Sequence, residues 1–180
     1  MIKKVFRLYA DKDSEEKWIN DMVNKGWAFS HFFLGMYTFE KCEVGEYIYR
    51  IDLMGDIASG KKSKDYIKLV EETGAEYVDS WFRWVYFRKN SSENGFELYS
   101  DIDSRINNYK GIRQMFTILG IAEFCIGMGQ LSLLFRDGNL QIFNLILTLI
   151  IFYLGFVILS VAIKTNKKIK KLMKENSLKE

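Results

Sequence analysis

The residues predict an α+β protein: a duplicated β-α-β-β domain on an antiparallel sheet, followed by a two-helix transmembrane hairpin. Three observations carry this prediction. Residues 1–99 read twice, at a constant offset, as strand, helix and hairpin. The stretch from Met115 to Ile163 contains only Glu123, Arg136 and Asp137 as charged residues. Residues 164–180 then carry seven Lys and two Glu.

In the first repeat, Val5–Tyr9 alternates apolar and polar residues as a strand does. Ile48–Asp52 has the same pattern in the second. A helix follows each strand. The first holds Trp18, Ile19, Met22 and Val23 and stops at Gly26; the second holds Tyr66, Ile67 and Val70 and stops at Gly74. A glycine just past a helix supplies the left-handed residue that ends it. Asp13 with Glu16 forms a capping pair for the first helix, and Ser63 is the cap for the second. Hairpins come next, Trp27–Phe32 with Met36–Lys41 and Glu76–Trp81 with Trp84–Lys89, turning near Gly35 and at Phe82-Arg83. Short connections imply antiparallel pairing, with both helices on one face of a sheet. Residues 100–114 read as an amphipathic connector helix with Ser100 and Asp103 as cap signals, Ile102, Ile106 and Tyr109 as its stripe, and Gly111 as a hinge.

Residues 115–134 and 140–163 are each long enough to span, since about 20 apolar residues cross the hydrocarbon core. Positive charge near span ends stays cytoplasmic. Lys110 and Arg113 before the first span, and Lys164, Lys167, Lys168, Lys170, Lys171 and Lys174 after the second, therefore place the head (residues 1–99) and the tail (164–180) inside. Only the turn Arg136–Asn139 lies outside. Gly120, Glu123, Gly127 and Gln130 share one face of the first span; Gln141, Asn144, Thr148 and Gly155 share one face of the second. Small and polar residues so placed make an intramembrane packing surface, within the hairpin or between chains, or a ligand site. A carboxyl such as Glu123 inside a membrane is costly and functional by default. The tail lysines are candidates for binding lipid headgroups, at about 1 kcal/mol each.

Little catalytic chemistry is visible. Cys42 and Cys125 stand in unlike segments with no second thiol or histidine near them, so no disulfide or metal site is expected. The N-terminal residues lack the apolar stretch of a signal peptide. Gly55–Ser63 nearly matches a phosphate-binding Gly-x-x-x-x-Gly-Lys-[Ser/Thr] loop, but Lys62 occupies the place of the required hydroxyl. No Ser, Cys or carboxylate near His31 in sequence makes an evident catalytic arrangement with it, and Glu15-Glu16 and Glu71-Glu72 read as ordinary helix surface. The expectation is a non-enzymatic protein with no cofactor and no metal. Its formal charge of +3 sits beside the membrane and does not argue for nucleic acid.

All four Trp lie in the head. Aromatic side chains can fill a small core or line a cleft for an apolar ligand. Adjacent apolar residues at a hairpin tip cannot both enter one core, because successive side chains alternate faces. Trp81, Phe82, Arg83 and Trp84 are therefore the candidate contact residues for a ligand or a protein partner. The expected role is a membrane-anchored cytoplasmic sensor or adaptor. The competing class is an accessory or structural subunit of a membrane complex, such as a transporter. Membrane lipids, and a protein partner or second copy, are the expected contacts.

Trp18-Ile19 with Lys25-Gly26-Trp27, Tyr37–Cys42, Gly45-Glu46-Tyr47 with Tyr49-Arg50, and Trp84–Arg88 resemble the domain of unknown function 2812 family. The resemblance covers nearly the whole head and reaches Tyr109. It implies C-terminal membrane spans, a Gram-positive bacterial setting and a functional link to a PadR-type repressor. It carries over no catalytic or binding residue.

Overall fold

The computed structural model describes residues 1–92, 95–99, 101–134 and 142–178. It divides into two compact units, Met1–Ser100 and Asp101–Glu180. The first contains β1 (Ile2–Phe6), α1 (Lys12–Val23), β2 (Trp27–Phe33), β3 (Met36–Lys41), β4 (Tyr47–Leu53), α2 (Lys61–Glu71), β5 (Glu76–Trp81) and β6 (Trp84–Asn90). Where the sequence suggested one sheet, there are two antiparallel three-stranded sheets, ordered β1-β3-β2 and β4-β6-β5.

The reason lies at the edges. Both β2 and β5 carry a register shift, between Phe29 and His31 and between Tyr77 and Asp79. A bulge bends its strand and leaves backbone groups out of the ladder. A side chain fills the gap: Asp79 Oδ2 accepts from the Phe32 backbone N–H at 2.7 Å and pairs with His31 Nδ1 at 2.9 Å. His31, the isolated histidine of the sequence, thus belongs to the seam between the sheets. The edge of β4 is closed similarly from α1. Asn20 accepts from Tyr49 N and donates to Tyr49 O, and Glu16 Oε2 accepts from Ile51 N at 2.9 Å. Side chains of a helix here substitute for a missing strand.

Local signals shifted in detail. β1 ends at Phe6, not Tyr9, because β3 begins opposite it at Met36. Tyr9 instead stacks on Trp18, ring centroids 5.5 Å apart. Asp11, not the Asp13–Glu16 pair, caps α1 by accepting from Ser14 N. Gly60 starts α2 with no side-chain cap, and Ser63 lies inside the helix, donating to Asp56 O. The helix stops do fall before Gly26 and Gly74, at φ +76° and +85°.

Two clusters form the interior. One joins Ile19, Met22 and Val23 of α1 to Phe29, Tyr37 and Phe39 and to Tyr49, Ile51 and Tyr86. The other gathers Val70, Ala75, Val85, Phe87 and Phe96 beneath α2. Strand β6 serves both, because successive residues face opposite ways: Tyr86 enters the first cluster, Val85 and Phe87 the second. The second sheet is covered on both faces, which the expectation of two helices on one face did not include.

The second unit is a pair of long helices, α3 (Ile102–Leu131) and α4 (Ile142–Ser177). At 1.5 Å per residue they extend about 45 and 54 Å, and both are long and apolar enough to cross a membrane. Asp101 caps α3, accepting from Ser104 N at 2.7 Å, and the helix runs unbroken through Gly111. The helices run antiparallel in register. Arg113 donates to Asn166 Oδ1, and Asn144 Nδ2 donates to Leu133 O. A Cβ on Gly120 would fall 2.5 Å from the Leu159 side chain, and one on Gly127 2.9 Å from the Phe152 ring. Glycine at both places lets the backbones approach. The Arg136–Asn139 turn and Gln141 lie outside the described residues, as does Ser100.

Candidate functional site

A cleft of about 260 Å³ opens in the head where the β1–α1 loop, the β2–β3 turn and the β5–β6 hairpin converge. Trp84 and Tyr86 stand two apart on β6 and so share a face, and that face forms one wall. Tyr37 of β3 and Phe32 of β2 form the next, and Trp81 closes the hairpin side. Phe32 holds the wall together, with ring centroids 4.7 Å from Tyr37, 5.6 Å from Trp81 and 6.1 Å from Tyr86. Tilted and edge-on pairs like these are the favoured aromatic geometries.

The polar feature of this aromatic wall is Glu15. It projects from the first turn of α1, partly buried, and its Oε1 accepts from Tyr37 Oη at 2.8 Å and Tyr86 Oη at 2.7 Å. Among the described residues no lysine, arginine or histidine makes an ion pair with it. Burial raises its carboxyl above the usual range, against the two tyrosine hydroxyls, which pull it down. The same burial raises both phenols. Arg7 is exposed at the mouth, where its guanidinium lies over Trp18 and donates to Tyr9 Oη.

Glu15 and Glu16 are not the ordinary helix surface that the sequence suggested. Glu16 closes the β4 edge and pairs with Arg50, and burial raises its carboxyl too. Their environments are invisible locally, because the partners of Glu15 lie 22 and 71 residues away. One signal existed: an acidic residue three before Trp18 falls on that residue's side of the helix, towards the core.

The hairpin candidates divide. Trp81 and Trp84 line the cleft. Phe82 occupies the turn at φ +57° and points outward, 57% exposed. Arg83 donates from Nε to Met54 O at 2.9 Å, tying the turn to the end of β4. Leu8, Leu34 and Phe82 are exposed apolar residues of the loops and turns around this region.

In the helix pair, Gly120, Gly127 and Thr148 are buried, and Glu123, Gln130 and Asn144 are partly buried. Thr148 donates to Asn144 O at 2.7 Å. Of the tail lysines, Lys164, Lys167, Lys170 and Lys171 are exposed, while Lys168 lies 4.6 Å over the Tyr109 ring. A second hollow borders the phosphate-loop look-alike, lined by Gly55, Asp56, Lys62, Ser63 and Tyr66. Among the described residues no group of three His, Cys, Asp or Glu could hold a metal ion.

No curated protein and no solved structure matches the chain. Residues 11–121, from the cap of α1 into α3, match the family described as protein of unknown function (DUF2812). The match takes in α1, strands β2 to β6 and the first two thirds of α3, with most of the cleft lining, and the chain belongs to the DUF2812 family.

Proposed function

We propose that this is a two-pass membrane protein whose cytoplasmic head senses a small aromatic or apolar molecule, in a regulatory and not a catalytic role. The aromatic cleft over Glu15 is the observation that carries it. Pockets for small molecules are concave and mostly apolar, with few polar groups to orient the ligand. The head reads as an internal duplication, a reading supported by the identical strand order of its two sheets and the bulge in the corresponding outer strands β2 and β5. The lysine-rich end of α4 supports a cytoplasmic tail beside anionic lipid. A PadR-type repressor, implied by the family resemblance, is the proposed downstream link.

Binding is tested with the full chain in nanodiscs of neutral lipid. Calorimetric titration with 3-tert-butylphenol, 3-hydroxyphenyltrimethylammonium and 3-hydroxybenzoate is expected to give saturable binding of at least one, lost in Trp81→Ala. No binding of any of the three ends the cleft reading. Topology is tested by single cysteines at Asn139, Ser14 and Ser177 in intact cells. Only the first should react with an impermeant reagent.

A second reading is an accessory subunit that meets a membrane complex through its spans. Gln130 Oε1 favours it, being buried without a hydrogen-bond partner among the described residues. Copurification of a membrane complex that survives Trp81→Ala with Phe82→Ala but fails on Glu123→Leu supports this reading over the sensor.

A further inference from the structure

We infer that the ligand of the head cleft is an organic cation, a quaternary or protonated amine carried on an apolar body, with Glu15 as its counter-charge. This rests on the reading of the cleft as a ligand site and adds the chemical class.

Four observations lead there. First, Glu15 is a carboxylate drawn out of water without a cation to balance it: both hydroxyls that reach it are neutral phenols, and both go to the same oxygen, Oε1. Taking a carboxylate out of water costs free energy unless a charge or several donors compensate. The fold therefore holds a negative group whose electrostatic partner is missing among the described residues. Other head carboxylates do have a cation or more donors, Asp52 having three neutral donors spread over both oxygens. Glu16 has Arg50, and Glu76 has Arg88.

Second, the surroundings are rings. Tyr37, Tyr86, Phe32, Trp81 and Trp84 all line the cleft with Glu15. The face of an aromatic ring is negative and attracts a cation within about 6 Å, most strongly when both are desolvated. A ligand that is apolar and neutral would use the rings and leave the carboxylate unbalanced. An anion would meet both the carboxylate and the ring faces as repulsive. A soft cation satisfies both features at once.

Third, the basic group at the mouth is already engaged. Arg7 lies 4.9 Å over the Trp18 ring and donates to Tyr9 Oη, outside the Tyr37–Tyr86 clamp. It shows how the same aromatic cluster receives a cation, and it leaves Oε2 of Glu15 to an incoming one. Fourth, the volume suits a compact cation. About 260 Å³ is room for a single aromatic ring bearing a trimethylammonium group, not for a large polycyclic dye.

The experiment compares the three probes of equal ring size on the full chain in neutral-lipid nanodiscs. 3-Hydroxyphenyltrimethylammonium and 3-tert-butylphenol have the same shape and differ by one charge. The expected result is a preference for the cation of at least about tenfold, which is 1.4 kcal/mol. Glu15→Gln should remove that preference while leaving the neutral probe bound, since glutamine keeps an acceptor for Tyr37 and Tyr86. Circular dichroism and thermal melting confirm that the variant is folded. Equal binding of the neutral and cationic probes, or a preference for 3-hydroxybenzoate, overturns the cation and leaves the cleft a ligand site. Cation preference that survives Glu15→Gln overturns the role of Glu15. Binding of none of the three removes the underlying reading as well.

Discussion

Asp52 and Glu15 are both carboxylates held by two tyrosine hydroxyls, one in each half of the head, and they end in opposite states. Asp52 is 3% exposed, and both of its oxygens are occupied: Tyr99 Oη and Leu53 N donate to Oδ1, and Tyr66 Oη donates to Oδ2. It is a closed polar knot beside α2. Glu15 has its two phenols on one oxygen and faces a cleft. Position matters more than chemistry here. Asp52 sits near the end of β4, an outer strand, and is covered by α2 and the chain after β6, whereas Glu15 sits at the start of a helix, where the loops part. A satisfied buried network stabilises a fold, and one left partly open is available for binding.

The largest effect is expected at the closed knot. Asp52→Ala leaves the Tyr66 and Tyr99 hydroxyls and the Leu53 N–H without their acceptor, at about 3 kcal/mol, from 1–3 kcal/mol per stranded group. Thermal melting of the full chain followed by near-ultraviolet circular dichroism would show it. An unchanged melt would dissolve the contrast.

A third carboxylate lies between the extremes. Asp79→Ala removes the hydrogen-bonded side-chain bridge at the β2–β5 seam and strands the Phe32 N–H. The expected loss is about 1–2 kcal/mol. Amide exchange should accelerate first at Phe32 and its bulge neighbours, ahead of the β6 centre, where both faces are buried.

The open carboxylate should behave in the reverse sense. Burial raises Glu15 and Glu16, so the folded head holds these protons more tightly than the unfolded chain. Their contribution to stability is full below the ordinary carboxylate range and is lost as pH rises through the raised values. The groups facing Glu15 are Tyr37, Tyr86 and Glu16, and none of the phenols titrates in that window, since each is raised from about 10. Glu15→Gln should therefore raise the melting temperature at pH 8 and change it little at pH 4. A destabilised Glu15→Gln would make this residue another Asp52.

The smallest effect is expected at the rim. Phe82 holds φ +57°, a conformation that favours glycine. Phe82→Gly should stabilise the head by roughly 0.5–1 kcal/mol, as measured by denaturant midpoint. Loss of stability would mean that the exposed ring makes contacts that its outward position does not show.

Much of this was legible in the residues themselves. The α+β class, the helix stops at Gly26 and Gly74, both hairpins and the two long apolar helices follow from local rules of period, turn and length. The hairpin tip was marked as a binding candidate by the impossibility of burying adjacent apolar residues on one face, and two of its four residues, Trp81 and Trp84, line the cleft. What those rules could not reach was pairing at a distance. The separation into two sheets depends on bulges that only the ladder partners reveal. The role of Glu15 depends on hydroxyls from β3 and β6, brought to α1 by tertiary packing. A carboxylate beside another carboxylate in a helix looks solvated because sequence carries period, not neighbourhood. Thus composition and periodicity determined the elements and the apolar helix pair, since each is stabilised by contacts within a few residues or by length alone. The tertiary structure decided which charge lost its water, because desolvation is set by everything that packs around a group and by nothing in the residue itself.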